Sequence, residues 1–235
     1  MRMSELSTTT GVPVPTLKYY LREGLLHGGE RTSPNQARYD SSHVARVRLI
    51  RALIDVGDLP VARAAEVLAA MERPELELSH IFGIAQRSVT ERPGADLPTT
   101  PTEESREPSR GERRIAELCA RRGWRVHGDN PGLAMATRVL DAYEALDQPH
   151  LIAALDDYAE AAERIAAADL ATVAAAGERT RGDRAAMANV VVIGTVLGDT
   201  LAAGLRRIAQ EVESYRLFPD GGTETRRADR QDPSC

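Results

Sequence analysis

Residues 4–26, SELSTTTGVPVPTLKYYLREGLL, allow few arrangements other than two short helices joined by a tight glycine turn. Ser4 is placed to cap the first helix and Leu6 to anchor it, while Thr8–Thr10 weakens helical propensity before Gly11. Gly11 tolerates the left-handed backbone that such a turn needs. Val14, Leu17 and Leu21 recur at i, i+3 and i+7, so the spacing predicts a second helix with one buried face. Pro13 and Pro15 fall before or within its first turn, where backbone N–H groups have no helical partner to lose. Gly24 ends the helix, and Leu25 and Leu26 return the chain to the core. Thr16, Tyr19 and Glu23 face the other way, flanked by Lys18, Tyr20 and Arg22. Hydroxyls and cations there suit phosphates and base edges, although a plain helical hairpin with two packed tyrosines fits the same residues.

The neighbouring segment narrows the choice. Residues 27–40, HGGERTSPNQARYD, are rich in turn formers and poor in core residues, as expected of a small β-hairpin punctuated by Gly28, Gly29, Pro34 and Asn35. A long amphipathic helix is expected from an N-cap at Ser41 or Ser42 to Gly57, and another from Pro60 to Met71, before Pro74 interrupts. Two helices, a hairpin and two more helices describe a winged helix-turn-helix.

On these residues the chain resembles the MerR family of transcriptional regulators. The resemblance rests on T-L-K-Y-Y at Thr16 to Tyr20, G-L-L at Gly24 to Leu26 and N-Q-A-R-Y at Asn35 to Tyr39. It extends through VARVRLIRALIDVG and LPVARAAEVL, covering about residues 1–73. The resemblance implies a homodimer on a partly palindromic promoter site. Thr16, Lys18, Tyr19, Tyr20 and Arg22 would enter the major groove, and Gln36, Arg38 and Tyr39 would place the wing, with Arg46 among the cations behind it. It further implies action at promoters with overlong spacers, bent and untwisted so that RNA polymerase, an indirect partner, engages both elements. Repression is equally open from the residues themselves. Three departures stand out. Lys18 replaces the usual arginine and loses its forked geometry, Pro13 replaces a capping hydroxyl, and Asp58 brings a negative charge near the second wing.

Charge divides along the same line. The chain has a net charge of −5, but residues 1–73 hold 10 Lys and Arg against 8 Asp and Glu, so the excess of acid lies entirely beyond them. Arg22, Arg31, Arg38, Arg46, Arg48 and Arg51 crowd the hairpin and its supporting helices, and phosphate affinity follows local cations rather than the global sum. Two cysteines, Cys119 and Cys235, make no disulfide framework and suit a reducing compartment. The N-terminus lacks a secretory pattern, and the apolar run Val190 to Gly198 stops at Asp199, too short to span a bilayer. A cytoplasmic protein without a membrane partner is therefore expected.

The expected organisation is mostly α: the winged helix-turn-helix of residues 1–73, a bridging helix and flexible linker over 74–111, an all-α bundle over 112–217, and a disordered tail over 218–235. Residues 75–90 suit one short helix, and the prolines of 91–111 among Thr, Ser, Glu and Gly suit a tether. Beyond it, Gly123 ends one helix, Asn130 caps the next and Pro149 opens a longer one with Leu151, Leu155, Tyr158, Ala162 and Ile165 along a seam. Asp183 caps the last, which runs to about Tyr215. Gly194 and Gly198 share a face of that helix at a cost of roughly 1 kcal/mol each, which close helix packing, either inside the subunit or across a dimer, would offset. In helix content and Ala/Arg/Leu texture this half is similar to the ligand-binding halves of TetR-type regulators.

No cofactor or metal is expected, since the cysteines are far apart and the five histidines dispersed. Trp124, Tyr143 and Tyr158 are candidates to line an apolar pocket for a small organic effector, though each also fits as core filling. Nucleophile elbow, phosphate-cradling glycine loop and zinc-protease signature are all missing, so catalysis is not expected. The alternative is an enzyme or adaptor carrying an accessory helix-turn-helix module.

Overall fold

In the computed structural model, residues 1–33, 36–90 and 107–218 are described. Pro34 and Asn35, most of the expected tether (91–106) and the tail from 219 lie outside them. The fold is mostly α, with one two-stranded antiparallel sheet and a long carboxy-terminal helix.

Helix α1 (Met3–Thr10) is capped differently from expectation: Ser4 lies inside it, and the Glu5 carboxylate accepts the Arg2 N–H at 2.6 Å. Gly11, left-handed at φ 70°, donates its N–H to Ser7 and turns the chain into α2 (Val14–Arg22). The buried face of α2 is Leu17 and Tyr20, with Leu21 and Val14 only partly covered. Tyr20 therefore takes the place expected of Val14. After Gly24 (φ 72°), the N–H groups of Leu25 and Leu26 both donate to the Tyr20 carbonyl and carry two leucines inward.

Strands β1 (Glu30–Ser33) and β2 (Gln36–Arg38) pair antiparallel, with Glu30 opposite Arg38 and Arg31 opposite Ala37. Asp40, rather than Ser41 or Ser42, caps α3 (Ser41–Arg51), accepting the N–H of Ser42 at 2.9 Å and of His43 at 3.3 Å. Those bonds, and above all the hydroxyl of Ser42 and the His43 ring, hold the Asp40 carboxyl well below the usual carboxylate range. Helix α3 runs on into a π-helical turn at Ala52–Val56 that Gly57 closes. Helices α4 (Val61–Met71) and α5 (Leu78–Thr90) come next.

The carboxy-terminal half does not fold as one separate bundle. Helices α6 (Arg110–Arg122), α7 (Pro131–Ala145) and α8 (Pro149–Ala153) gather around Ile115, Leu140 and Ile152. Ser109 caps α6, so the helix begins within the segment expected to be tether. The helix expected from Pro149 breaks at Ala154 into α8 and α9 (Leu155–Arg179). Helix α10 (Arg184–Leu217) instead joins the amino-terminal core. Ala188, Val191, Val192 and Val196 are buried in one cluster with Leu17, Tyr20, Val47, Leu53 and Ile81. Arg184 ties its start to the carbonyls of Arg73 (2.9 Å) and Leu76. The apolar run read as ending at Asp199 is thus part of a 34-residue helix, long and apolar enough by composition to cross a membrane. One face of its first half packs into the amino-terminal core, and 22% of the apolar stretch is buried.

Candidate nucleic-acid interface

A cationic hollow marks the outer face of the amino-terminal unit. It is an open cavity of about 630 Å³ between the start of α1, helix α2 and the hairpin. Arg2, Lys18, Arg31 and Arg38 line it together with Thr32 and Gln36. Each element has a local reason to be there. Gly11 sets α2 across α1, and the β1–β2 register places Arg31 and Arg38 on neighbouring strands. Backbone bonds from Met1 to Tyr39 in both directions, 2.7 and 2.8 Å, lay the start of the chain along the end of the hairpin. Four cations converge in a concave site with donor side chains between them, which suits phosphate oxygens.

Of the residues singled out in the sequence, Lys18, Gln36 and Arg38 are exposed and line this hollow. Thr16 is partly exposed and Arg22 more openly so, beside them on α2. Tyr19 is partly buried against the core, and the Arg22 guanidinium sits 5.2 Å from its ring centroid. That stacking holds Arg22 at the rim.

Three expected contact residues turn out to be structural. Tyr20 is only 7% exposed, and burial pushes its hydroxyl upward in pKa, with the Asp55 charge adding to the rise and Arg51 opposing it. Tyr39, also 7% exposed, meets the His43 ring edge-on, 5.1 Å between centroids, and offers the hollow no more than an edge. The Arg46 side chain, 10% exposed, donates to the Leu25 carbonyl at 2.7 Å and pairs with Glu72 at 2.8 Å. Burial lowers its pKa and Glu72 pulls it back. It fixes the end of α2 to α3 instead of reaching outward. Arg2 and Thr32 were not singled out in the sequence, and Arg31 only as one of the crowded cations; the folded hollow brings all three beside Lys18.

The three aromatic residues expected to share a pocket occupy three settings. Trp124 donates its indole N–H to Glu163 at 2.8 Å, Tyr143 packs against the Ile115–Leu140–Ile152 cluster, and Tyr158 lies exposed under Arg206. Gly194 and Gly198 both face open space.

With this geometry in view, residues 1–71 match the model of the MerR helix-turn-helix regulatory proteins. The chain belongs to the MerR family. The nodulation protein NolA of Bradyrhizobium elkanii is 46% identical over 56 residues, 24% of this chain and 26% of that protein. NolA of Bradyrhizobium sp. strain NC92 is 45% identical over 56 residues, 24% of each. The chain thus spans about a quarter of the length of these curated relatives. Similarity over the whole fold comes from the crystal structure of SCO5550 from Streptomyces coelicolor A3(2), a protein assigned as a transcriptional regulator. The two share 30% identity at a TM-score of 0.58, covering 93% of this chain and 98% of that one. The amino-terminal 71 residues of this MerR-family chain are accordingly a helix-turn-helix of the regulatory-protein kind, and the whole chain is similar to a protein assigned as a transcriptional regulator.

Proposed function

We propose that this MerR-family regulator binds promoter DNA as a homodimer on a partly palindromic site and acts in the cytoplasm without catalysing a reaction. Helix α2 enters the major groove with Thr16, Lys18, Tyr19 and Arg22, while Arg2, Arg31, Gln36 and Arg38 hold the flanking phosphates. The observation that carries this reading is the convergence of Arg2, Lys18, Arg31 and Arg38 in one hollow beside the exposed face of α2. The acidic remainder of the chain is no obstacle, because the cations are local.

Control passes through α10. Its first half is built into the amino-terminal core, so a shift of α10 is felt directly by α5, α4 and the π-helical turn, and a shift of α9 reaches them through α10. A small organic effector that changes the packing of α6–α10 would act by this route.

Selection of genomic fragments by the purified full chain tests the proposal. Enrichment of an inverted repeat is expected, with affinity that falls steeply with salt. Fragments bound without sequence preference, or with affinity indifferent to salt, would overturn it.

A further inference from the structure

The chain has a single lysine, and the fold places it in the cationic hollow. Lys18 is exposed, so its amine meets whatever enters that cavity. Arg2, Arg31 and Arg38 line the same space, together with the Thr32 hydroxyl and the Gln36 amide. The backbone bonds between Met1 and Tyr39 keep Arg2 against the hairpin. Among the described residues, none of these four cations is paired with a carboxylate. Arg22, Arg46 and Arg51 of the same unit each hold one, on Glu23, Glu72 and Asp55. The charge of the hollow is therefore left for an anion from outside the protein.

We infer that Lys18 is an acylation site, modified by small acyl phosphates whose phosphate group is held by Arg2, Arg31 and Arg38. The division of labour follows from the side chains. Arginine stays protonated and its planar fork takes two phosphate oxygens at once, whereas a lysine amine can shed its proton and act as a nucleophile. In the step, the free amine of Lys18 attacks the acyl carbon and a C–N bond forms. The bond from that carbon to the bridging phosphate oxygen breaks, its electron pair leaves with inorganic phosphate, and the surplus amine proton passes to water. No oxidant or further reactant is needed. The amide that results is uncharged and keeps one N–H where the ammonium group had three donors. Acylation thus removes one cation from the centre of the proposed DNA face. The site itself stands on the hollow, and only this consequence rests on the DNA docking proposed above. Duplex phosphates and the acyl donor compete for the same cations, so modification falls on the regulator that is off its DNA.

The test treats the full chain with acetyl phosphate or with the neutral ester N-hydroxysuccinimide acetate and follows acetylation of the Lys18 peptide by mass spectrometry. Each rate is divided by that of free Nα-acetyl-lysine amide with the same reagent. Acetyl phosphate should give the larger ratio, and inorganic phosphate should bring it down toward that of the ester. Arg31→Ala and Arg38→Ala, confirmed as folded by circular dichroism, should each slow the acetyl phosphate reaction about tenfold, the loss of one charge-assisted hydrogen bond. The ester reaction should not change in either variant. Equal ratios for the two reagents, or variants as fast as the native chain, overturn the site. In gel shifts on selected DNA, the acetylated chain should bind more weakly, its slope of log affinity against log salt lower by about one unit per subunit. Lys18→Arg, whose guanidinium is not acylated, should come through the same treatment with the affinity it started with. Native chain and Lys18→Arg losing affinity alike would overturn control through Lys18. Acetylated protein that binds as tightly as untreated protein overturns the docking of Lys18 on DNA and leaves the acylation site standing.

Discussion

A Cβ added to Gly57 would lie 2.4 Å from the Val196 Cγ1, so the turn that closes the π-helical segment and the middle of α10 are in direct contact. Thr200 reaches the Val56 carbonyl one helical turn further on, at 3.5 Å. Gly57 has an ordinary helical backbone, φ −78° and ψ −6°, so its reason for being glycine is space. Gly57→Ala should destabilise the fold by about 1–3 kcal/mol through overpacking. Thermal or urea unfolding checks this, and adding Val196→Ala should recover part of the loss. Simple additivity of the two would show that they do not touch.

Tyr20 and Lys18 sit two residues apart on α2 and should behave oppositely. Tyr20→Ala empties a core position and should cost about 3–5 kcal/mol of stability. Lys18→Ala should leave the unfolding midpoint nearly unchanged and weaken DNA binding. Denaturant titrations alongside gel shifts separate the two effects.

Arg2 and Arg38 belong to the hollow, Arg46 to the scaffold. Arg2→Ala and Arg38→Ala should each lower the slope of log affinity against log salt by about one unit if each holds one phosphate. Arg46→Met should instead lower stability and leave that slope alone. Binding isotherms at several salt concentrations decide it.

Acidification should loosen the junction between the hairpin and α3. His27 is held below its ordinary pKa by burial first, then by His43, whose ring centroid is 4.1 Å away, and by Arg46. The unfolded chain takes up this proton near pH ~6.5. The neutral ring's contribution is therefore fully present above about pH 6.5 and is lost as pH falls through the lower folded value. Melting temperature should decline from about pH 7.5 to about pH 5.5, and less so in His27→Gln. An equal decline in both proteins would remove His27 as the cause.

The order of elements in the first ninety residues was readable because turns and ends depend on single residues. Gly11 and Gly24 sit left-handed where the helices stop, and Pro15 stands in the first turn of α2. Which way an amphipathic side chain points was not. Tyr20, Tyr39 and Arg46 each have an apolar body and a polar end, and their direction is decided by residues from elsewhere in the chain: the shared core for Tyr20, His43 for Tyr39, and the Leu25 carbonyl with Glu72 for Arg46. The apolar run Val190 to Gly198 carried no sign of what it packs against. Only the fold shows that its partners are the π-helical turn and α5, more than a hundred residues back in the chain. The hollow was hidden for the same reason, since Arg2 has no pattern linking it to Lys18 and Arg31 stood out only as one of six crowded cations.

Lys18 is the sole lysine of the chain and stands at the centre of the proposed DNA face. Its reactivity toward an amine-acylating reagent, read by mass spectrometry with and without saturating selected DNA, tests that docking most directly. Strong protection of the Lys18 peptide in the complex is the expected result. Acylation equally fast in the free and the bound protein would show that the duplex lies elsewhere.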